Sequence, residues 1–213
     1  GMIDQSTVGG YHVNLPSVEV QTIGTGGGTL IWVDAAKGIR VGPKSAGSEP
    51  GPACYSKGGV QPTITDANLL LGRINTKGLL DGEIPLSIKK SRTAFNDYVA
   101  KKLKMNTTQS AISAIRLANQ FMASSILTIC SRHGSDPRDL TLIAGGGAGG
   151  ISVSSVARIC GIKKILIPRE ASAACAVGMV CGPLRYDRKR SFMVRTSETS
   201  AKQLLEQFKN LKK

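Results

Sequence analysis

The stretch LTLIAGGGAGGISVSSVARICGIKKILIP, residues 140 to 168, decides the fold class. Its first five residues, LTLIA, are short, apolar and bounded by turn residues, which predicts a buried strand over 140–144. GGGAGG, 145–150, then places five glycines in six positions. Residues 151–161 repeat apolar positions at helical spacing, and KKILIP, 163–168, is a second strand-like run. Strand, tight turn, helix and strand with short connections make a βαβ unit with a right-handed crossover, so the class is α/β.

A turn that rich in glycine, set between a strand and a helix, has a chemical use. Backbone N–H groups converge there, the helix N-terminus favours negative charge, and the lack of side chains lets a phosphate or a nucleotide ring approach the main chain. The spacing is neither a P-loop, which needs a following Lys-Ser/Thr, nor the GxGxxG dinucleotide fingerprint, since the next acid, Glu170, lies beyond the following strand. Tight helix–strand packing explains the same residues, and both readings stand on spacing alone. TIGTGGGTL, 22–30, is a second glycine turn leading into an apolar run. It reads as the other jaw on one ligand, or as a hairpin with a glycine bulge.

Working outward, residues 107–134 show the clearest periodicity. Ala111, Ile115, Ala118, Met122, Ile126 and Ile129 share one stripe, Thr108 or Ser110 caps the start, and Gly134 follows the end. VEVQTI (18–23), TLIWVD (29–34) and GIRVGP (38–43) read as strands, the last two as a hairpin. Residues 44–62, dense in Gly, Pro and Ser, form a long shaped loop. A short helix is predicted over 65–74 with Thr65 as N-cap and Asp66 in its first turn, and an exposed basic helix over 91–104. Downstream come a small-residue helix at 172–184, a strand at 191–195 and an amphipathic helix at 200–213.

The totals narrow the function classes. The chain has 213 residues, 41% hydrophobic, which suits a soluble globular protein with a real core. Its apolar runs are too short to span a bilayer, no basic start leads into a secretory signal, and Gly1-Met2 reads as a cleavage scar before an ordinary Met. Cys54, Cys130, Cys160, Cys175 and Cys181 are odd in number and form no CxxC pair, so reduced thiols and a cytoplasmic location are expected. The net charge of +14 raises nucleic acid as a partner, but the basic residues are dispersed and aromatics reach only 4%, too few for base stacking. A solvated basic surface, or a face covered by an acidic partner, is the reading kept, with no nucleic acid and no membrane.

Five blocks in order carry a resemblance: TIGTGGGTLIWVD (22–34), RVGPKSAGSEPGPACYSKGG (40–59), PTITDANLLLGRI (62–74), LTLIAGGGAGG (140–150) and ILIPREASAACAVGMV (165–180). The chain closely resembles the hydantoinase A family, which groups N-methylhydantoinase A subunits, 5-oxoprolinases and ATP-binding subunits of acetone and acetophenone carboxylases. The resemblance covers nearly all of residues 4 to 190. It implies a ribonuclease-H-like domain of the sugar-kinase, chaperone and actin type, with a mixed sheet flanked by helices. LIAGGGAGG is similar to the adenosine motif of that superfamily, and TIGTGGG to the turn near ribose and phosphates. The resemblance therefore assigns Gly24, Gly26, Gly27 and Gly28, with Gly145, Gly146, Gly147 and Gly149, to an ATP site. The turn departs from the FGGAGP of many members, since AGGGAGG runs straight into Ile151.

The same resemblance implies Mg2+, a cyclic amide or ketone substrate and a hydantoinase B-type partner subunit or domain. The family's Asp-bearing phosphate hairpins, DxGGT and DxGGTSxD, are not in this sequence. The chain is thus expected to be a C-terminal portion of an ATPase subunit (1–190, then a strand and helix at 191–213), with half a nucleotide site and catalytic residues unassigned. ATP-dependent ring opening is the activity expected, with ketone carboxylation or a non-catalytic nucleotide clamp as alternatives.

Other side chains have plainer readings. Cys54 is a substrate contact or, preferably, a small thiol buried under the 44–62 loop. Asp66 binds a cation through water or caps its helix. His12 and His133 lack metal-ligand spacing, so no metal ligand is assigned, and they read as surface or capping residues. Lys44 either meets a phosphate or substrate carboxylate or is simply exposed. Ser152, Ser154 and Ser155 cap the helix after the glycine turn or reach a nucleotide hydroxyl.

Overall fold

Alternation of apolar and polar residues builds the first hairpin, β5 (Thr29–Val33) with β6 (Ile39–Ser45), as the sequence predicts. Asp34 closes its turn: Oδ1 accepts from Gly38 N–H at 2.7 Å and Oδ2 from Arg40 Nε at 2.6 Å. The computed structural model describes residues 2–3, 6–8, 11–13, 17–79, 82–183, 186, 188 and 190–212. Ahead of the hairpin lie β1 (Met2–Ile3), β2 (Ser6–Val8), β3 (Tyr11–Val13) and β4 (Ser17–Val18), pairing β1 with β4 and β2 with β3. The strand expected over 18–23 stops at Val18. Among the described residues every sheet is two-stranded.

The helix expected over 65–74 is α1 (Ile64–Leu70), and its N-cap is Thr63, not Thr65. Thr63 and Asp66 form a capping box: Asp66 N–H donates to Thr63 Oγ1 at 3.3 Å and Thr63 N–H to Asp66 Oδ2 at 3.0 Å. Asp66 is wholly buried and its carboxylate reaches further. Oδ2 also accepts from Thr63 Oγ1 at 2.8 Å and Ala53 N–H at 3.1 Å, while Oδ1 accepts from Cys54 N–H at 2.8 Å and Ser91 Oγ at 2.6 Å. The carboxylate therefore ties the long loop to α1 and to α2 (Ile88–Phe95), which is capped by Ser87. The loop contains one tight helical turn at Ala53–Tyr55, with Ala53 and Cys54 buried.

The helix expected over 91–104 starts earlier, at Ile88, passes through a π-helical turn at Asn96–Ala100, and ends as α3 (Lys101–Leu103) with Lys104 left-handed. α4 (Thr107–Arg132) spans 26 residues, about 39 Å at ~1.5 Å per residue. Its cap is Asn106, whose side chain accepts from Gln109 N–H at 2.7 Å, so neither Thr108 nor Ser110 fills that role. Ala111, Ala114, Ile115 and Ala118 pack on Ile31, Val41, Ile64, Phe95 and Val99 in one core cluster. Farther along, Ala123 joins Val156, Ala157, Cys160 and Ile162 in a second, with Met122 and Ile126 half-buried beside it. At its end Glu19 binds Arg132 Nη1 at 3.1 Å and His133 Nε2 at 2.6 Å, which holds the Glu19 carboxyl below its usual range. His12 lies in β3, opposite Thr7.

The βαβ unit is present: β7 (Thr141–Ile143), α5 (Gly149–Cys160) and β8 (Lys164–Leu166), with the two strands parallel. The expectation of a buried strand is corrected. Leu142 turns into the second cluster, but Ile143 is 62% and Leu166 50% exposed, because among the described residues these strands pair only with each other. Contacts divide the chain into Gly1–Cys175 and Ala176–Lys213. The later part contains most of α6 (Ala174–Cys181) and all of α7 (Ala201–Lys212), the helix expected at the end. Residues 191–195 form no strand. Leu184 and Lys213, the last residues of two expected helices, lie outside the described residues.

Two outcomes test this architecture. Asp66→Ala removes an acceptor serving five donors, and its expected cost in urea denaturation is about 3–5 kcal/mol; a loss within ~0.5 kcal/mol, typical of surface sites, would contradict the hub. Burial pushes the Cys54 thiol up to about 12, and the neighbouring Asp66 carboxylate adds to the shift. At about pH 8 a thiol reagent should therefore modify exposed Cys175 and Cys181 and spare buried Cys54, Cys130 and Cys160 until denaturant is added. Mapping of the label to Cys54 in the folded protein would count against its burial.

Candidate functional site

The second glycine turn grows directly out of the parallel pair. Ala144 N–H extends the ladder by donating to Leu166 O at 2.9 Å, after which the chain reverses. Gly146 makes the reversal with φ +87°, a conformation that disfavours a side chain, and its N–H donates to Ala171 O at 2.6 Å. α5 then begins at Gly149. Its N-cap is Ala148 and no side chain caps it, so Ser152, Ser154 and Ser155 are not caps; they sit within the helix. Gly149 N–H donates to Gly146 O at 3.3 Å and Ile151 N–H to Ala148 O at 3.1 Å, so the start of α5 keeps the positive end of the dipole but has used part of its donors.

What surrounds these glycines separates packing from other uses. A Cβ at Gly147 would meet nothing within 4 Å. One at Gly145 would lie 3.7 Å from Ala174 Cβ, one at Gly149 3.9 Å from Ala144, and one at Gly150 4.0 Å from Ile167, all ordinary contacts. The chain's own atoms thus require glycine only at Gly146, for its backbone angle. The other positions keep the main chain bare without an internal reason.

The first turn differs. Thr29 braces it, accepting from Gly26 N–H at 2.7 Å and donating to Gly24 O at 3.2 Å. Gly27 O accepts from Thr65 N–H at 2.9 Å and Thr65 Oγ1 at 3.0 Å, so this turn satisfies the start of α1. A Cβ at Gly27 would come within 2.8 Å of Thr65 Oγ1, and one at Gly28 within 2.9 Å of Ser45 Oγ. Packing accounts for both of those glycines. Gly24 and Gly26 face open space, and Gly24, with φ +60°, is glycine for its backbone angle.

A groove of about 550 Å3 runs beside the second turn, between α4, α5 and β7. Gly145 and Gly149 line it, with Gln21 and Ile23 from the approach to the first turn and Ser152 from α5. Gly24, Gly26, Gly27 and Gly28 do not line it. Among the described residues no titratable side chain lines it. Asp66, weighed as a cation ligand, is instead saturated by protein donors, and Cys54 lies buried beside it. Among the described residues no cluster of three or more His, Cys, Asp or Glu could hold a metal ion, and no helix is long and apolar enough to cross a membrane. The Thr63-x-x-Asp66 spacing is the sequence signal of that capping box.

Residues 2–188 match the family model described as Hydantoinase/oxoprolinase. The chain is similar to caprolactamase subunit alpha of Pseudomonas jessenii, 40% identical over 188 residues that make up 88% of this chain and 27% of that protein. It is similar to the acetophenone carboxylase gamma subunit of Aromatoleum aromaticum, 35% identical over 169 residues, 79% of this chain and 23% of the other. The crystal structure of the ATP-dependent caprolactamase from Pseudomonas jessenii matches with a TM-score of 0.78 at 35% identity, covering 99% of this chain and 31% of that one. The chain therefore spans between a quarter and a third of the length of the caprolactamase relatives it matches, and less of the carboxylase subunit. On the family match over 2–188 and these identities, the chain belongs to the hydantoinase/oxoprolinase family.

Proposed function

We propose that this chain forms part of the nucleotide-holding half of an ATP-dependent cyclic-amide hydrolase of the hydantoinase and 5-oxoprolinase kind, on a ribonuclease-H-like frame. One observation carries the reading: Gly145, Gly147 and Gly149 bare the backbone at the start of α5, where the protein's own atoms leave room for side chains. Membership of a family with an ATP-dependent lactamase supports it. The donors at the start of α5 suit an anionic phosphate, and the apolar groove wall suits a flat, uncharged ring. Gly24 and Gly26 offer a second stretch of bare backbone.

When bound, ATP would supply a phosphoryl group that activates the oxygen of an unreactive amide. The residues here contribute positioning, which is most of what phosphoryl transfer asks of a protein. Gly146 spends its N–H on Ala171 O and so fixes the angle at which the turn meets the helix. Mg2+ belongs to the same family expectation, but the described residues hold no ligand cluster for it. Acids and bases for the reaction fall outside the groove. A hydantoinase B-type partner fits relatives that are themselves named as subunits, and a cytoplasmic location fits five free thiols. The identity with an acetophenone carboxylase subunit favours ketone carboxylation as the second reading.

Two experiments divide these possibilities. Gly147→Val fills open space, so its melting temperature should match the parent while ATP affinity falls at least about tenfold, the equivalent of ~1.4 kcal/mol; undiminished ATP binding would remove the turn from the site. Phosphate release by the whole enzyme with its partner subunit should rise with hydantoin, 5-oxoproline or a lactam. Stimulation only by a ketone with bicarbonate would reassign it to carboxylation, and ATP binding without stimulation by any of these would leave a non-catalytic clamp.

A further inference from the structure

The outer face of the β5–β6 hairpin carries a second, separate cleft of about 430 Å3. That is within the roughly 300–1,000 Å3 usual for small-molecule sites. Leu30, Trp32, Gly42, Pro43, Lys44 and Gln61 line it. Leu30 and Trp32 alternate with Thr29, Ile31 and Val33, so they point away from the core that Ile31 enters. Trp32 is the sole tryptophan of the chain and is 43% exposed. Its Nε1–H already donates to Gly42 O at 2.9 Å, which locks the indole and leaves only apolar ring to the cleft. Gly42 makes the floor: with φ +71°, a Cβ there would come within 3.1 Å of Thr29 Cγ2 and 3.2 Å of Gly24 O.

The polar contribution is small and of one sign. Lys44 is exposed and, among the described residues, makes no ion pair or hydrogen bond. The other cation of the hairpin, Arg40, is held by Asp34 at 2.6 Å. Among the described residues no acid lines the cleft; Glu49 lines the adjoining one, which shares Leu30 and Gln61. Gln61 adds a neutral side chain able both to donate and to accept.

We propose that this cleft binds a small organic carboxylate, its compact apolar or planar body against Trp32, Leu30 and Pro43 and its charge toward Lys44. A single free ammonium suits a monoanion; a phosphate dianion would want several convergent donors, which the lining does not offer. The fixed indole gives a flat apolar wall with no hydrogen bond left to satisfy, so an uncharged polar ligand gains little there. The inference stands apart from the nucleotide reading, since none of these six residues lines the groove beside Gly145 and Gly149.

The single tryptophan makes the test direct. The intact chain is titrated with benzoate, with its uncharged isostere benzamide and with inorganic phosphate, following Trp32 emission under selective excitation. Benzoate should give a saturable change, benzamide binding at least about tenfold weaker and phosphate none; Lys44→Gln should lower benzoate affinity about tenfold and leave benzamide unchanged, as expected for loss of one charge-assisted contact of ~1.4 kcal/mol. Lys44 has no structural partner, so this variant keeps the fold. Calorimetry on Trp32→Phe gives a second readout, with benzoate heat reduced in parallel. Absence of a saturable benzoate signal, equal response to phosphate (an adventitious anion only), or wild-type benzoate affinity in Lys44→Gln would each overturn the proposal.

Discussion

The carboxylate of Asp66 organises the first half of this protein. A buried charge is costly unless donors surround it. Here five donors from Ala53, Cys54, Thr63 and Ser91 converge on two oxygens, drawn from a loop, a helix start and a second helix. A loop rich in Gly and Pro has little apolar surface with which to hold itself down, so its shape depends on such polar anchors. Because Cys54 is fixed, Cys54 O can accept from Ser87 N–H at 2.9 Å, which sets the start of α2. Because α1 is capped from within, its next free donors turn to Gly27 O, and the first glycine turn is drawn onto the helix.

α4 extends that order into the second half. Its small residues Ala111, Ala114 and Ala118 let β6, α1 and the π-helical turn approach closely, and Ala123 does the same for α5. The βαβ unit therefore rests on the far end of the helix whose near end is built into the Asp66 region. The contacts of Glu19 with Arg132 and His133 are exposed and add little to stability, but they fix where the segment leading to the first glycine turn passes α4.

Long-period and short-range signals were legible in the sequence. The stripe on α4, the hairpin at 29–45 and the strand-turn-helix-strand order all appeared in the fold, because each is encoded by residues close in sequence. What stayed hidden depends on partners far along the chain. Thr65 was a reasonable cap by type, yet Thr63 holds the position because Asp66 answers it; Thr65 is left to bind Gly27, 38 residues away. Cys54 and Ser91 gave no sign of meeting at one carboxylate. The apolar run at 140–144 read as buried, but burial depends on what lies against a strand: Ala144 is buried and Leu142 half-buried against the second cluster, while Leu140 and Ile143 stay exposed. As for the candidate site, its glycines were visible as letters, while the difference between the two turns was not.

That difference is the more general lesson. Glycine at a turn has three separate causes: a backbone angle, a neighbour too close for Cβ, or a ligand too close for Cβ. The first two can be read from the protein alone. Gly146 belongs to the first, Gly27 and Gly28 to the second. Gly145, Gly147, Gly149 and Gly150 belong to neither, and they stand together where a helix begins without a side-chain cap. Within α5, alanine at Gly149 or Gly150 would gain helix propensity of up to about 1 kcal/mol per site. On the nucleotide reading proposed above, that bare surface is what the ligand uses, and the positive end of α5 favours its negative charge.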